Sequence, residues 1–295
     1  MRKSIAWMFS VTTACLAAAA MLNGCQSVAG SKLATKESPW ENSLGMRFVP
    51  VPGTAVFFSI WDTRVKDFEA FMQATGHDAT QGALMLTADE WKQSWKSPGF
   101  AQTGEHPVCC VSWEDAKAFC KWLTEKERGE GRLKAEQEYR LPTDAEWSVA
   151  VGLEGEPGQT PKDKDGNVGG YPWGNQWPPP AGAGNYAGEE AKNADWPASW
   201  PVIEGYNDGY PRTSPVGSFK ANRFGLYDMG GNVWQWCEDF YDGLSGPRVL
   251  RGGSWDDRDP RYLLSSGRVH GPPGHRYDDV GFRCVLAGAG GSASR

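Results

Sequence analysis

The chain has 295 residues, 40% hydrophobic and 22% charged, enough for one large globular domain or two small ones. Thirty-seven glycines, 20 prolines and 15 tryptophans point to a loop-rich fold rather than a helical bundle. Net charge is −6; without Met1–Gly24, which holds Arg2 and Lys3 and no acid, it is 28 basic minus 36 acidic, or −8. That argues against nucleic acid as a partner, because phosphate binding needs a basic face.

Residues 1–24 read as a targeting segment: Arg2 and Lys3 open it, and an apolar stretch runs from about Ile5 to Leu22. Leu22-Asn23-Gly24-Cys25 is similar to a bacterial lipobox, which implies cleavage before Cys25 and lipid on that cysteine. The alternatives are an ordinary secretory signal or a single spanning helix, for which the run is short against the roughly 20 residues needed. Gln26, in place of Asp, favours the outer membrane of the cell envelope. Contact with a membrane is then through the anchor alone. Residues 25–40 are polar and read as a tether.

Asn42–Pro52 reads as an opening strand. In Arg64–Thr75, Val65, Phe68, Phe71 and Met72 share a helical face, and Gly76 follows as a C-terminal cap. Thr87-Ala88-Asp89-Glu90 is a capping box with Trp91 and Trp95 one turn apart behind it, which predicts a second helix. Ser112–Asp115 is a variant of that signal. Behind it Ala116, Phe119, Cys120 and Leu123 form a stripe at i, i+3, i+4 and i+7. Thr143–Glu146 starts another helix just after Pro142. Glu154–Gly170 is a polar loop; beyond Tyr171 the helical signal ends, and Gly, Pro, Asn and Trp dominate to Asp257. The expected domain runs over residues 41–288, with a flexible tail at 289–295.

Cys15 leaves with the signal and Cys25 is the anchor, so Cys109, Cys110, Cys120, Cys237 and Cys284 remain. Five is odd, so at least one thiol is unpaired or pairs elsewhere. Adjacent Cys109 and Cys110 are not expected to bond each other, and a Cys110–Cys237 bridge is open. Gly225–Tyr241 (GLYDMGGNVWQWCEDFY) places oxygen side chains among aromatics too closely for a plain strand or helix. It suits a hard cation such as calcium, or else a structural turn with solvated acids. No P-loop, G-x-S-x-G elbow, H-E-x-x-H or paired-CxxC zinc motif is present.

That segment is one of eight that occur in order and together resemble the formylglycine-generating enzyme, or sulfatase-modifying factor, family. The others are NSLGMRFVPVP (Asn42–Pro52), HPVCCVSWEDAKAFC (His106–Cys120), RLPTDAEW (Arg140–Trp147), YPWGNQW (Tyr171–Trp177), SPVGSF (Ser214–Phe219), RGGSW (Arg251–Trp255) and GFRC (Gly281–Cys284). The resemblance implies an α+β fold, a loop-rich variant of the C-type lectin fold with little regular secondary structure. It implies a Cys120–Cys284 disulfide. It also implies two structural calcium sites. The first takes Asn185, the Tyr186 carbonyl, Asp208 and the Tyr210 carbonyl. The second takes Asp228, the Gly231 and Val233 carbonyls, and Gln235. There the family often has Asn where Asp228 stands and Glu where Gln235 stands, so one carboxylate and one amide remain.

Family enzymes oxidise a sulfatase cysteine using Cu(I) held by two cysteines just after GGS. Those positions are Asp257 and Tyr262 here, and a carboxylate with a phenol does not replace the soft dithiolate that Cu(I) requires. No copper and no copper-dependent oxidation are therefore expected. The equivalent cleft is expected to be lined by Trp234, Ser254, Trp255, Asp257, Arg258, Tyr262, Arg268, His270 and His275, with Asp256, Asp259, Arg261 and Arg276 nearby. Three readings compete: a site for a peptide, protein or small-molecule ligand without chemistry; a divergent enzyme, for instance with a metal on His270, His275 and a carboxylate; and a solvated charged loop in a structural protein.

Overall fold

The computed structural model describes residues 34–85, 90–193 and 196–288. The expected signal, the Cys25 anchor, most of the tether and the tail lie outside these residues. In chain order the elements are β1 (Trp40–Glu41), β2 (Arg47–Pro50), β3 (Val56–Ser59), α1 (Val65–Thr75), β4 (Ala83–Met85), β5 (Glu90–Gln93), α2 (Trp113–Gly129), β6 (Glu138–Arg140), α3 (Asp144–Val151) and α4 (Pro161–Lys164). A 3₁₀ turn at Glu189–Asn193 follows, then β7 (Trp234–Phe240), β8 (Arg248–Arg251), β9 (Arg268–Gly271), β10 (Val280–Gly281) and β11 (Val285–Ala287).

The expected helices form for the expected reasons. At the start of α2, Ser112 Oγ accepts from the Asp115 amide while the Asp115 side chain accepts from the Ser112 amide. Thr143 and Glu146 do the same at α3, satisfying amides that have no partner within the helix. Gly76 closes α1 at φ 64°, a left-handed conformation that glycine adopts without a Cβ clash. The stripe of α2, from Ala116 to Leu123, lies in a core with Phe68, Phe71 and Phe282. Ring contacts run from Phe119 to Phe68 (6.2 Å) and Phe282 (5.4 Å).

The second predicted helix is replaced by strand. Residues 86–89 lie outside the description, and Glu90–Gln93 pairs antiparallel with β4. A capping box starts a helix only where an apolar stripe follows it. Here exposed Trp91 and Lys92 precede buried Gln93, and Trp95 instead packs on Phe68 at 5.4 Å. The opening strand is also shorter than Asn42–Pro52, since a turn held by Asn42 precedes β2.

Two larger sheets complete the frame. One has five strands in the order β1-β2-β3-β11-β6, all antiparallel; the other has four, β10-β7-β8-β9, with only β10 and β7 parallel. Among the described residues, the stretch from Tyr171 to Val233 is loop apart from the single 3₁₀ turn, as the composition predicts. Irregular backbone of that length buries little apolar surface of its own and is held by side-chain hydrogen bonds. Asn232 is an example: its amide bonds both the Ser214 N–H (3.0 Å) and the Ser214 carbonyl (3.2 Å), at a left-handed φ of 66°.

Candidate functional site

The cleft is built where β8 ends. Gly252 and Gly253 follow Arg251 at φ 103° and 77°. A Cβ on Gly253 would meet Leu263 Cδ2 at 2.9 Å, and its left-handed φ strains any side chain there. The turn delivers Ser254 into a group of carboxylates. Its Oγ lies 2.7 Å from Asp256 Oδ1, 2.9 Å from Asp257 Oδ2 and 3.3 Å from Asp279 Oδ2, and its amide donates to Asp257 Oδ2 at 2.8 Å. One hydroxyl hydrogen serves one of these three oxygens. All three carboxylates are buried, and Asp279 Oδ1 is buried without a hydrogen-bond partner. Burial first, and then repulsion from Asp256, pushes Asp257 up to about 8. Asp256 and Asp279 are raised by burial as well, Asp279 further by its acidic neighbours.

Beside this cluster opens a cavity of about 480 Å³, lined by Pro201, Asp257, Arg258, Asp259, Pro260 and Tyr262. Arg258 lies face-on to Trp200 at 4.2 Å and donates to the Asp256 carbonyl at 3.0 Å. Arg212 lies 4.7 Å over Trp255. Asp259 and Arg261 pair at the rim, at 2.6 Å. The two positions assigned to the family's copper cysteines thus line one cavity, as a buried carboxylate and a Tyr262 ring that is 46% exposed.

Other expected cleft residues lie elsewhere. Trp234 belongs to the main core. Trp255 is 1% exposed and packs on Phe100 and Trp196, behind the cavity. Arg268 is fully buried in an ion network: with Arg251 it bonds Asp144, and it also pairs with Glu156 at 2.8 Å. Arg276 bonds Asp115 at the head of α2. His270 packs on Tyr241 at 4.4 Å with the rings tilted by 39°, whereas His275 meets Trp91 and Tyr277, so the two histidines share no site. Among the described residues no group of three or more His, Cys, Asp or Glu side chains is arranged to hold a metal ion. The solvated-loop reading holds only for the Asp259–Arg261 pair. Asp279 and the Pro201 loop were not anticipated. The available signal was the doublet Asp278-Asp279 just before GFRC, echoing Asp256-Asp257 after GGSW.

The two implied calcium sites differ in the oxygens they offer. At the first, Asn185 Oδ1 is buried with no donor, and Glu190 Oε2 is in the same condition. Asp208 accepts from the Tyr186 and Tyr210 amides at 2.8 and 2.9 Å and is pushed by burial up to about 7. The Tyr186 carbonyl accepts from the Gly188 amide at 2.7 Å. Oxygen-only donors with an orphaned buried amide oxygen fit a hard cation. At the second, Asp228 Oδ1 is also without a donor. Gln235 Oε1, however, already accepts from Trp147 Nε1 (3.0 Å) and Arg283 Nε (3.1 Å), and its Nε2 donates to the Asp228 carbonyl. Both lone pairs of that oxygen are used, so Gln235 does not fit as a ligand in this arrangement.

All five described cysteines are buried thiols. Cys120 and Cys284 face each other with sulfurs 3.6 Å apart, beyond the ~2.05 Å of a disulfide. Cys110 and Cys237 occupy separate apolar clusters, so the structure does not bring that pair together.

A family model described as "Sulfatase-modifying factor enzyme 1-like domain" matches residues 53–287. The chain is 34% identical over 209 residues to the inactive C-alpha-formylglycine-generating enzyme 2 of Bos taurus, covering 66% of this chain but only 56% of that protein. It is 31% identical over 279 residues to the formylglycine-generating enzyme of Streptomyces coelicolor, covering 77% of each. Among solved structures, PvdO from Pseudomonas aeruginosa superimposes with a TM-score of 0.53 at 25% identity, over 79% of this chain and 80% of that one. The matched span takes in α1, α2, the four-stranded sheet, strands β3, β6 and β11 of the five-stranded one, and the cavity loop, and the chain belongs to the formylglycine-generating enzyme, or sulfatase-modifying factor, family.

Proposed function

We propose that the chain is a ligand-binding or accessory module of its family, without copper-dependent cysteine oxidase activity. The observation that carries this reading is the pair at the cavity: Asp257, hydrogen-bonded to Ser254, and Tyr262, exposed, stand where the family's copper thiolates are implied. Hard oxygens do not retain Cu(I). The similarity to a relative named as inactive supports the same reading. The test is oxygen uptake by the purified protein with a cysteine peptide and Cu(I). No uptake is expected, and uptake would sink the reading. A second reading, a divergent enzyme, draws on one observation: a buried acid raised to about 8 on a cavity wall suits proton transfer near neutral pH.

Around this module we place structural calcium at Asn185, Asp208 and the neighbouring carbonyls, which would tie down loops that bury little apolar surface. The second site is less well supported, through Asp228 and the Gly231 and Val233 carbonyls. A Cys120–Cys284 bond would form under oxidising conditions from thiols already facing each other. A lipid on Cys25 would hold the domain at the bacterial envelope, in the outer membrane. Mass analysis of the N-terminal peptide tests this last point, with an unmodified Cys25 as the contrary result.

A further inference from the structure

We propose that the cleft takes a protonated alkylamine, such as a lysine side chain, with Asp257 as its counter-ion and the Tyr262 ring as one wall. The proposal rests on the binding-module reading of the same cavity and names the ligand's chemistry.

Charge is the first argument. Asp256, Asp257 and Asp279 converge on the Ser254 hydroxyl, which has one hydrogen for three acceptors. Asp279 faces that hydroxyl with Oδ2, while its Oδ1 is buried and has no donor. The cations acting on Asp256 are Arg258 and Arg212. With all three carboxylates ionised, two guanidinium groups leave one negative charge, and Asp278 sits next to Asp279 in the chain. The arginines are also held in place. Arg258 lies on Trp200 with its Nη1 on a main-chain carbonyl, and Arg212 lies on Trp255. The rim pair Asp259–Arg261 is neutral as a unit. Without a ligand the cluster must hold bound protons. An entering cation replaces them, whereas an anion would add to the excess.

Shape is the second argument. Asp257 is the member of the cluster that lines the cavity, and the other walls are Pro201, Arg258, Asp259, Pro260 and Tyr262. Proline and tyrosine faces beside Asp257, with the second wall carboxylate, Asp259, already paired to Arg261, suit a methylene stem capped by an ammonium, which brings three donors to a place rich in acceptors. An exposed tyrosine face adds a cation–π contact. The volume, about 480 Å³, lies within the range of small-ligand sites.

The test is calorimetric titration of the whole protein, near pH 8, with Nα-acetyl-lysine methylamide and with its Nε-acetylated, uncharged counterpart. The charged probe is expected to bind at least tenfold more tightly. Asp257→Asn should lose at least tenfold of that affinity, Tyr262→Ala should lose severalfold, and His270→Ala, at a separate aromatic contact, should bind as wild type. Near-ultraviolet circular dichroism establishes that each variant is folded; Tyr262→Ala alters an exposed ring and probes the site without touching the buried acids. Equal affinity for the two probes, wild-type binding by Asp257→Asn, or no binding of the charged probe at millimolar concentration would overturn the proposal. If an uncharged or anionic ligand binds instead and is lost in Tyr262→Ala, the cationic assignment falls and the binding module stands. Oxygen uptake with a cysteine peptide and Cu(I) would remove both.

Discussion

Two groups of buried charge lie at and just beyond the end of β8, and they are built differently. In the first, Arg251 and Arg268 face Asp144 and Glu156, two cations for two anions. Asp144 accepts from both arginines, and Ser148 bridges them. Both carboxylates stay below their ordinary range despite burial, because the guanidinium groups outweigh desolvation. In the second, Asp256, Asp257 and Asp279 share one serine hydroxyl, and all are raised. A balanced network fixes the fold. An unbalanced one, beside a cavity, keeps a place for something not in the chain.

The largest expected effect breaks the balanced side. Asp144→Ala leaves two buried guanidinium groups with one carboxylate between them and should cost about 3–5 kcal/mol, read as a lower urea midpoint. A loss under 1 kcal/mol (roughly the size of a surface pair) would mean that water or rearrangement replaces the carboxylate.

Calcium comes next. At a hundredfold excess over its dissociation constant, a single site adds about 2.7 kcal/mol by linkage. Calcium should therefore raise the Tm, chelation should reverse it, and Asn185→Ala should abolish the shift. A shift that survives Asn185→Ala but disappears in Asp228→Ala would move the ion to the second site.

The pH dependence of stability sharpens the contrast further. Asp257, at about 8 in the fold, lies far above an unfolded aspartate, whose ordinary value is 3.8. Between those values the folded state holds more protons than the unfolded one, so stability falls as pH rises through that window. In calcium-free protein Asp208, pushed up to about 7 by burial, adds in the same direction. Asp257→Asn should flatten the upper part of the fall, measured as the urea midpoint at successive pH values; an unchanged slope would place the protons elsewhere. Asp144, depressed in the fold, acts oppositely: its stabilisation is present above the unfolded value and is lost as acid protonates it.

The smallest expected effect is on thiols. After mild oxidation two of the five described cysteines should become unreactive in denaturant, with Cys120→Ser restoring one free thiol at Cys284. Five reactive thiols throughout would count against the bond.

Much of the frame was legible because its signals are local. Ser112 with Asp115, Thr143 with Glu146, and Gly76 each satisfy groups within a few residues of themselves. The stripe from Ala116 to Leu123 needs only helical periodicity. The helix expected behind the Thr87–Glu90 letters shows the limit, since Glu90–Gln93 pairs as a strand with Trp91 and Lys92 exposed and Gln93 buried. The cleft was half legible. Asp257, Arg258 and Tyr262 follow GGSW closely in sequence and do line one cavity. Trp234, Arg268, His270 and His275 were drawn in as well, but β7 sends Trp234 to the core, β9 sends Arg268 to Asp144 and His270 to Tyr241, and the loop after β9 carries His275 to Trp91. Asp279 was missed because it reaches Ser254 across 25 residues, a distance no spacing rule covers.

The order of the five-stranded sheet bears on when this protein can fold. β11, the last strand, lies between β3 and β6, pairing Val285–Ala287 with Val56–Phe58 on one side and Glu138–Arg140 on the other. Just before it, Arg283 reaches Asp62, and Cys284 faces Cys120. A nascent chain that has emerged only as far as the cavity loop therefore has two open strand edges, with nothing to fill the slot between them. The sheet can close only once Val285–Ala287 is available to pair. Its assembly is a late event built on pairings more than 140 residues apart, the kind of topology that folds slowly and gives chaperones time to act.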